Sequence, residues 1–192
     1  MIVQTPEPDQ ATGHVSDMYA GDVADVGFVF THTRAMAVNP EAHAAFESLL
    51  KAAVPSIGLR TYELATLGAA RAIGSSHCLL AHGRKTLRAG LVDEAQLERL
   101  ARDYTDAGLS EADVAVMAFA ERLSTEPQKM TDADTLRLRE VGFSDRQIVD
   151  ITIAASARNF LSRMLLALAV PVDEVPDLSP GLVEALLSPL EG

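Results

Sequence analysis

The chain has 192 residues, a net charge of -11 and a single cysteine. That length fits one domain, or one domain with an appended arm. The acidic balance excludes nucleic acids and anionic membranes as partners, because both need clustered Lys and Arg. One cysteine excludes an intrachain disulfide scaffold.

Residues 1–34 read as an arm, punctuated by Pro6, Pro8, Gly13, Gly21 and Gly27. The arm is expected to carry one short helix near Gln10 to Tyr19 and to lie over the domain or over a neighbouring subunit. The weak β pattern at Val26 to Thr33 does not amount to a strand. MIVQTPEPDQ lacks the basic and apolar regions of a signal peptide, and the longest apolar stretch, Met164 to Val172, is too short for a membrane span. A cytoplasmic location is the expectation.

The domain is placed at residues 35–172. Asn39-Pro40-Glu41 announces its first helix, with a capping residue, proline at the first helical position and then an acid. Its apolar stripe is Ala42, Ala45, Phe46, Leu49, Leu50 and Ala53, and Pro55 with Gly58 is expected to end it. A second helix runs from Leu59 to Ile73; its many alanines predict close helix contact. Gly74 breaks it, and Ser75-Ser76 restart the chain as a helix to Ala89, with Gly90 as its cap. Further helices begin near Glu94, at Ser110-x-x-Asp113, at Thr131-x-x-Asp134 and at Ser144-x-x-Gln147, the last being the longest. Residues 173–192 form a tail, with an amphipathic helix expected between Ser179 and Leu190. The fold class is all-α. An internal echo sets Glu63-Leu64 against Gln147-Ile148, Ser75 against Asn159 and Cys78 against Ser162. It is open to reading as a duplicated helical hairpin or as chance among alanine-rich helices.

Reactive groups concentrate between Glu63 and Gly90. Cys78 falls in the first turn of its helix if Ser75 or Ser76 caps it, and there the helix dipole favours a thiolate. His82 lies one turn on, on the same face, and His77 adjoins the thiol. Glu63 sits one helix earlier, within reach if the two helices pack as a hairpin. It would then favour protonated His82, which would stabilise the thiolate. His14, His32 and His43 are scattered and read as structural or exposed.

The spacing Glu-x11-Ser-x2-Cys-x3-His, followed by Leu87-Arg88 and Gly90, resembles the motif of the carboxymuconolactone decarboxylase superfamily, in particular its alkyl hydroperoxidase D (AhpD)-like proteins. Ser75 stands where the first cysteine of that motif would be. The stretch LREVGFSDRQIVDITIAASARNFLSRM resembles the C-terminal signature of the peroxidase-related branch, in which Ser-x-x-Cys is common. The resemblance implies a helical bundle assembled as a homo-oligomer (dimer, trimer or hexamer) and peroxide reduction at Cys78. It implies His82 as base, Glu63 as its orienting carboxylate and His77 as an auxiliary polar group. With Ser75 unable to form a disulfide, an external thiol must resolve the oxidised cysteine. No cofactor is expected.

Three other readings stay open: a folded but inactive binding protein, a zinc site built from Cys78, His82, His77 and Glu63, and a lactone decarboxylase.

Overall fold

In the computed structural model, residues 1–188 are described; the end of the predicted tail helix, 189–190, lies outside them. Among the described residues there are nine α-helices and no strand: α1 Gly13–Val26, α2 Thr31–Met36, α3 Pro40–Ile73, α4 Ser76–Arg88, α5 Glu94–Arg102, α6 Glu111–Thr125, α7 Asp132–Glu140, α8 Asp145–Ala167 and α9 Pro180–Leu187. No helix among them is long and apolar enough to cross a membrane.

The helix starts follow their capping residues. Asn39 Oδ1 accepts from the Ala42 N–H at 3.0 Å, Ser110 Oγ from Asp113 N–H at 3.1 Å, and Asp134 accepts the Thr131 N–H at 2.7 Å. Ser144 and Gln147 close a full capping box on α8. A break falls at Gly58, as expected from Pro55 and Gly58. Gly58, at φ 76° and ψ 162°, is not helical and divides α3 into the two expected helices, which meet at a kink, with Pro55 inside the first of them. Gly74 then ends α3 at φ 78° in a Schellman closure: the Ser75 N–H reaches the Ala70 carbonyl at 3.0 Å and the Gly74 N–H reaches Arg71 at 3.2 Å. This glycine turn folds α4 back beside α3.

The C-terminal half of α3 is the axis of the core, with α8 on one side and α6 on another. Leu64, Leu67, Met117 and Ile151 are fully buried around it. The small residues do permit close approach: a Cβ on Gly68 would lie 2.8 Å from the Met117 carbonyl oxygen. The echo's second segment is one helix, not a hairpin. α8 runs unbroken through Arg158, which stands where the register would place the counterpart of Gly74.

The arm and α9 both pack on the helical bundle. α9 inserts Leu182 and Leu186 into the main core, and Leu186 lies so close to Gly83 of α4 that a Cβ there would be 2.8 Å from Leu186 Cδ1. The arm holds two helices rather than one. Buried Arg84 of α4 fastens α1 and the segment before α9, bonding Asp25 at 2.6 Å and Asp177 at 2.9 Å.

Candidate active site

The Gly74 turn sets Ser75 at the N-cap of α4 and Cys78 in its first turn. The Ser75 hydroxyl does not cap the helix; it is buried without a hydrogen-bond partner. Cys78 is only 3% exposed, yet it lines a cavity of about 450 Å³. Two groups from α8 reach its sulfur. The Ser162 hydroxyl donates at 3.1 Å and Arg158 Nη1 at 3.4 Å. Arg158 Nη2 also donates to the Tyr62 hydroxyl at 3.3 Å. Burial pushes the Cys78 thiol up, but the Arg158 charge and the Ser162 hydrogen bond outweigh it, so its pKa lies below the ordinary value. In turn the thiolate and Tyr62 keep buried Arg158 charged against its own desolvation.

His82 of α4 lines the same cavity; its Nδ1 is 2.6 Å from Oε2 of Glu63 on α3, and both side chains are buried. Burial raises the Glu63 carboxyl to about 7, with Lys85 and Arg158 opposing the rise. Burial, and then the charges of Arg158 and Lys85, hold His82 well below its ordinary value. His82 is therefore a neutral imidazole at neutral pH. The expectation that an imidazolium would stabilise the thiolate is corrected: the cation at the sulfur is Arg158, supplied by α8.

His77 is oriented away from this chemistry. Its Nε2 donates to the Val170 carbonyl at 2.9 Å, and its ring meets the edge of His32 at 6.0 Å. His32 was expected to be structural or exposed, but it lines the cavity, and burial beside His77 pushes it down to about 3. His14 and His43 line the same cavity. A zinc site at Cys78 is not assembled: among the described residues the three-ligand cluster is His14, His43 and Glu47, not Cys78, His77, His82 and Glu63.

The structure thus places Cys78 and His82 on one cavity with Glu63 hydrogen-bonded behind His82, and it turns the His77 Nε2 to the backbone. Sequence reasoning missed Arg158, Ser162 and Tyr62. The available signals were an arginine inside the apolar run of α8 and the echo itself, since Ser162, the partner of Cys78 in that register, is the residue that bonds its sulfur.

Residues 40–122 match the model of the carboxymuconolactone decarboxylase family. No curated protein matches the chain significantly. Among solved structures, the chain is similar to the AhpD core of an uncharacterized peroxidase-related protein from Ralstonia eutropha JMP134, with TM-score 0.78 and 20% identity over 98% of this chain and 95% of that one. It is also similar to an uncharacterized peroxidase-related protein from Silicibacter sp. TM1040, with TM-score 0.73 and 23% identity over 90% of this chain and 96% of that one. A third similar structure is the debrominase Bmp8, with TM-score 0.74 and 19% identity over 98% of this chain and 97% of that one. A cysteine-to-alanine variant of Bmp8 has been solved in complex with 2,3,4-tribromopyrrole. At these identities the likeness carries the fold. The family match is confined to residues 40–122, and the chain's fold is the AhpD-like all-α bundle.

Proposed function

We propose that the chain is a thiol-dependent peroxidase with one redox cysteine, Cys78. The observation that carries this reading is a sulfur in the first turn of α4, hydrogen-bonded by Arg158 and Ser162, in a cavity that His82, the partner of Glu63, also lines. Thiolate is the nucleophile toward a peroxide, and a cation with a hydroxyl donor increases its share at neutral pH.

Glu63 sets the tautomer of His82. Below about pH 7 the protonated carboxyl donates to Nδ1, and the imidazole proton sits on Nε2. Above that pH the carboxylate accepts from Nδ1–H, and Nε2 has a free lone pair to take the Cys78 proton. The thiolate then attacks one peroxide oxygen. The S–O bond forms as the O–O bond breaks, sulfur is oxidised to the sulfenic acid, and the departing alkoxide takes the proton from His82. Neither Ser75 nor Ser162 can form a disulfide. An external thiol condenses with the sulfenic acid, releasing water, and a second thiol reduces the mixed disulfide.

The test is peroxide treatment followed by trapping of the sulfenic acid and mass spectrometry. Stoichiometric label at Cys78 is expected, with peroxide turnover when a small dithiol is supplied. Absence of both sinks the reading in favour of a binding protein.

A second reading is favoured by the cavity, whose volume of about 450 Å³ and lining by Tyr62, His32 and His77 exceed what a small peroxide needs. The same thiol would act on a halogenated aromatic ring, as the similarity to a debrominase suggests. Halide release from a bromopyrrole in the presence of dithiol, without peroxide turnover, selects that reading. Assembly into a homo-oligomer belongs to the same proposal. Phe160, 52% exposed, lies with Val38, Met164 and Leu168 in an apolar surface groove that supports it. Sedimentation velocity distinguishes monomer, dimer, trimer and hexamer.

A further inference from the structure

Three side chains that the thiol chemistry does not use converge at the outer, half-buried part of the cavity. His14 comes from α1 of the arm; His43 and Glu47 come from the first half of α3, one helical turn apart and so on one face. His14 Nε2 and His43 Nδ1 are 2.8 Å apart, and one donor atom from each of the three residues lies within 4.8 Å of the others. We propose that His14, His43 and Glu47 bind a divalent first-row transition ion of the zinc type, which fastens the arm to α3 over the cavity that holds Cys78.

The donor set fits such an ion. Two imidazoles and one carboxylate suit borderline divalent cations, whereas calcium and magnesium prefer all-oxygen shells. Ligand bonds of about 2.0–2.2 Å put tetrahedral donor atoms about 3.3 Å apart, so the two ring nitrogens, now sharing one proton, need to part by only a few tenths of an ångström. Glu47 is otherwise engaged only weakly, by Lys51 at 3.4 Å on the exposed face. Asp17 and Asp22 of α1 line the same cavity and add negative potential that draws a cation in. Three protein ligands leave a fourth position for water. The ion would join elements that are far apart in sequence but adjacent here, and would therefore hold the arm in place rather than stabilise the bundle core.

The experiment uses the full-length chain, freed of any affinity tag and stripped with a chelator, titrated with Zn2+ by calorimetry and with Co2+ by absorption spectroscopy. One ion per chain is expected, with visible cobalt bands and no sulfur-to-cobalt charge transfer. Limited proteolysis should find the arm better protected with Zn2+ than without. His14→Ala and Glu47→Gln should each weaken binding about tenfold or more and remove that protection. Glu41→Gln, on the exposed start of α3, should change neither. Glu47→Gln keeps shape at a half-exposed position, so it remains informative if His14→Ala disturbs the arm. Failure of the wild-type chain to bind Zn2+, binding indifferent to both site substitutions, or a sulfur-to-cobalt band overturns the proposal.

Discussion

Two buried ionisable pairs lie near one another, and they resolve burial in opposite ways. At Cys78 and Arg158 the charged form is favoured, because desolvation of the thiolate is outweighed by a guanidinium and a hydroxyl that both reach the sulfur and lower the thiol's pKa. Glu63 and His82 tend to neutrality, because neither has a formal partner strong enough to offset burial: the carboxyl rises to about 7 and the imidazole falls. The difference teaches that proximity of ionisable groups does not by itself set their charge. What matters is whether a permanently charged group with hydrogen bonds comes with them. A permanent cation beside the sulfur and a neutral, switchable base nearby make a usable division of labour for a thiol enzyme.

The comparison can be broken or sharpened by substitution. The largest effect is expected from Cys78→Ser, which should reduce turnover to background while leaving the far-ultraviolet dichroism and melting temperature nearly unchanged. Retained turnover would remove the sulfur from the chemistry. Next comes Arg158→Met, which keeps much of the buried volume and removes the charge. It should raise the thiol pKa and slow alkylation at neutral pH about tenfold or more. An unmoved alkylation profile would show that the helix N-terminus alone poises the sulfur.

Glu63→Gln tests the other pair. In the wild-type chain, catalytic efficiency should climb as pH rises through about 7, since ionising Glu63 frees Nε2 of His82. In the variant that limb should be absent, with activity at pH 8 lowered about tenfold. A limb that persists in the variant assigns it to another group. The smallest effect belongs to Ser162→Ala, which deletes one donor to the sulfur and leaves Arg158. About a threefold loss in alkylation rate at neutral pH is expected, as the thiol pKa rises slightly.

Legibility in the sequence followed the range of the interactions. The α4 segment was readable because Cys78 and His82 lie one turn apart, and because Gly74 and Ser75 mark where a helix must stop and restart. Glu63 was reachable through that same local hairpin. Arg158 and Ser162 were out of reach, since nothing in the spacing of α8 says which of its polar residues meets α4. The protonation of His82 failed for the same reason: its sign depends on burial and on two cations, Arg158 and Lys85, brought there by packing. The arm looked irregular because Gly13, Gly21 and Gly27 weaken its local propensity. Packing of Met18 and Tyr19 against Ala37, and the Arg84–Asp25 pair, give it a fixed place.

By itself the sequence determined the helical class, most of the helix starts and the segment bearing the thiol, because capping, helical periodicity and glycine breaks act over a few residues. Only the tertiary structure decided which charges surround the sulfur, which way His77 turns and where the arm's histidines meet α3. Electrostatic energies in a buried cavity depend on distances of a few ångströms between segments far apart in the chain, and packing alone sets those distances.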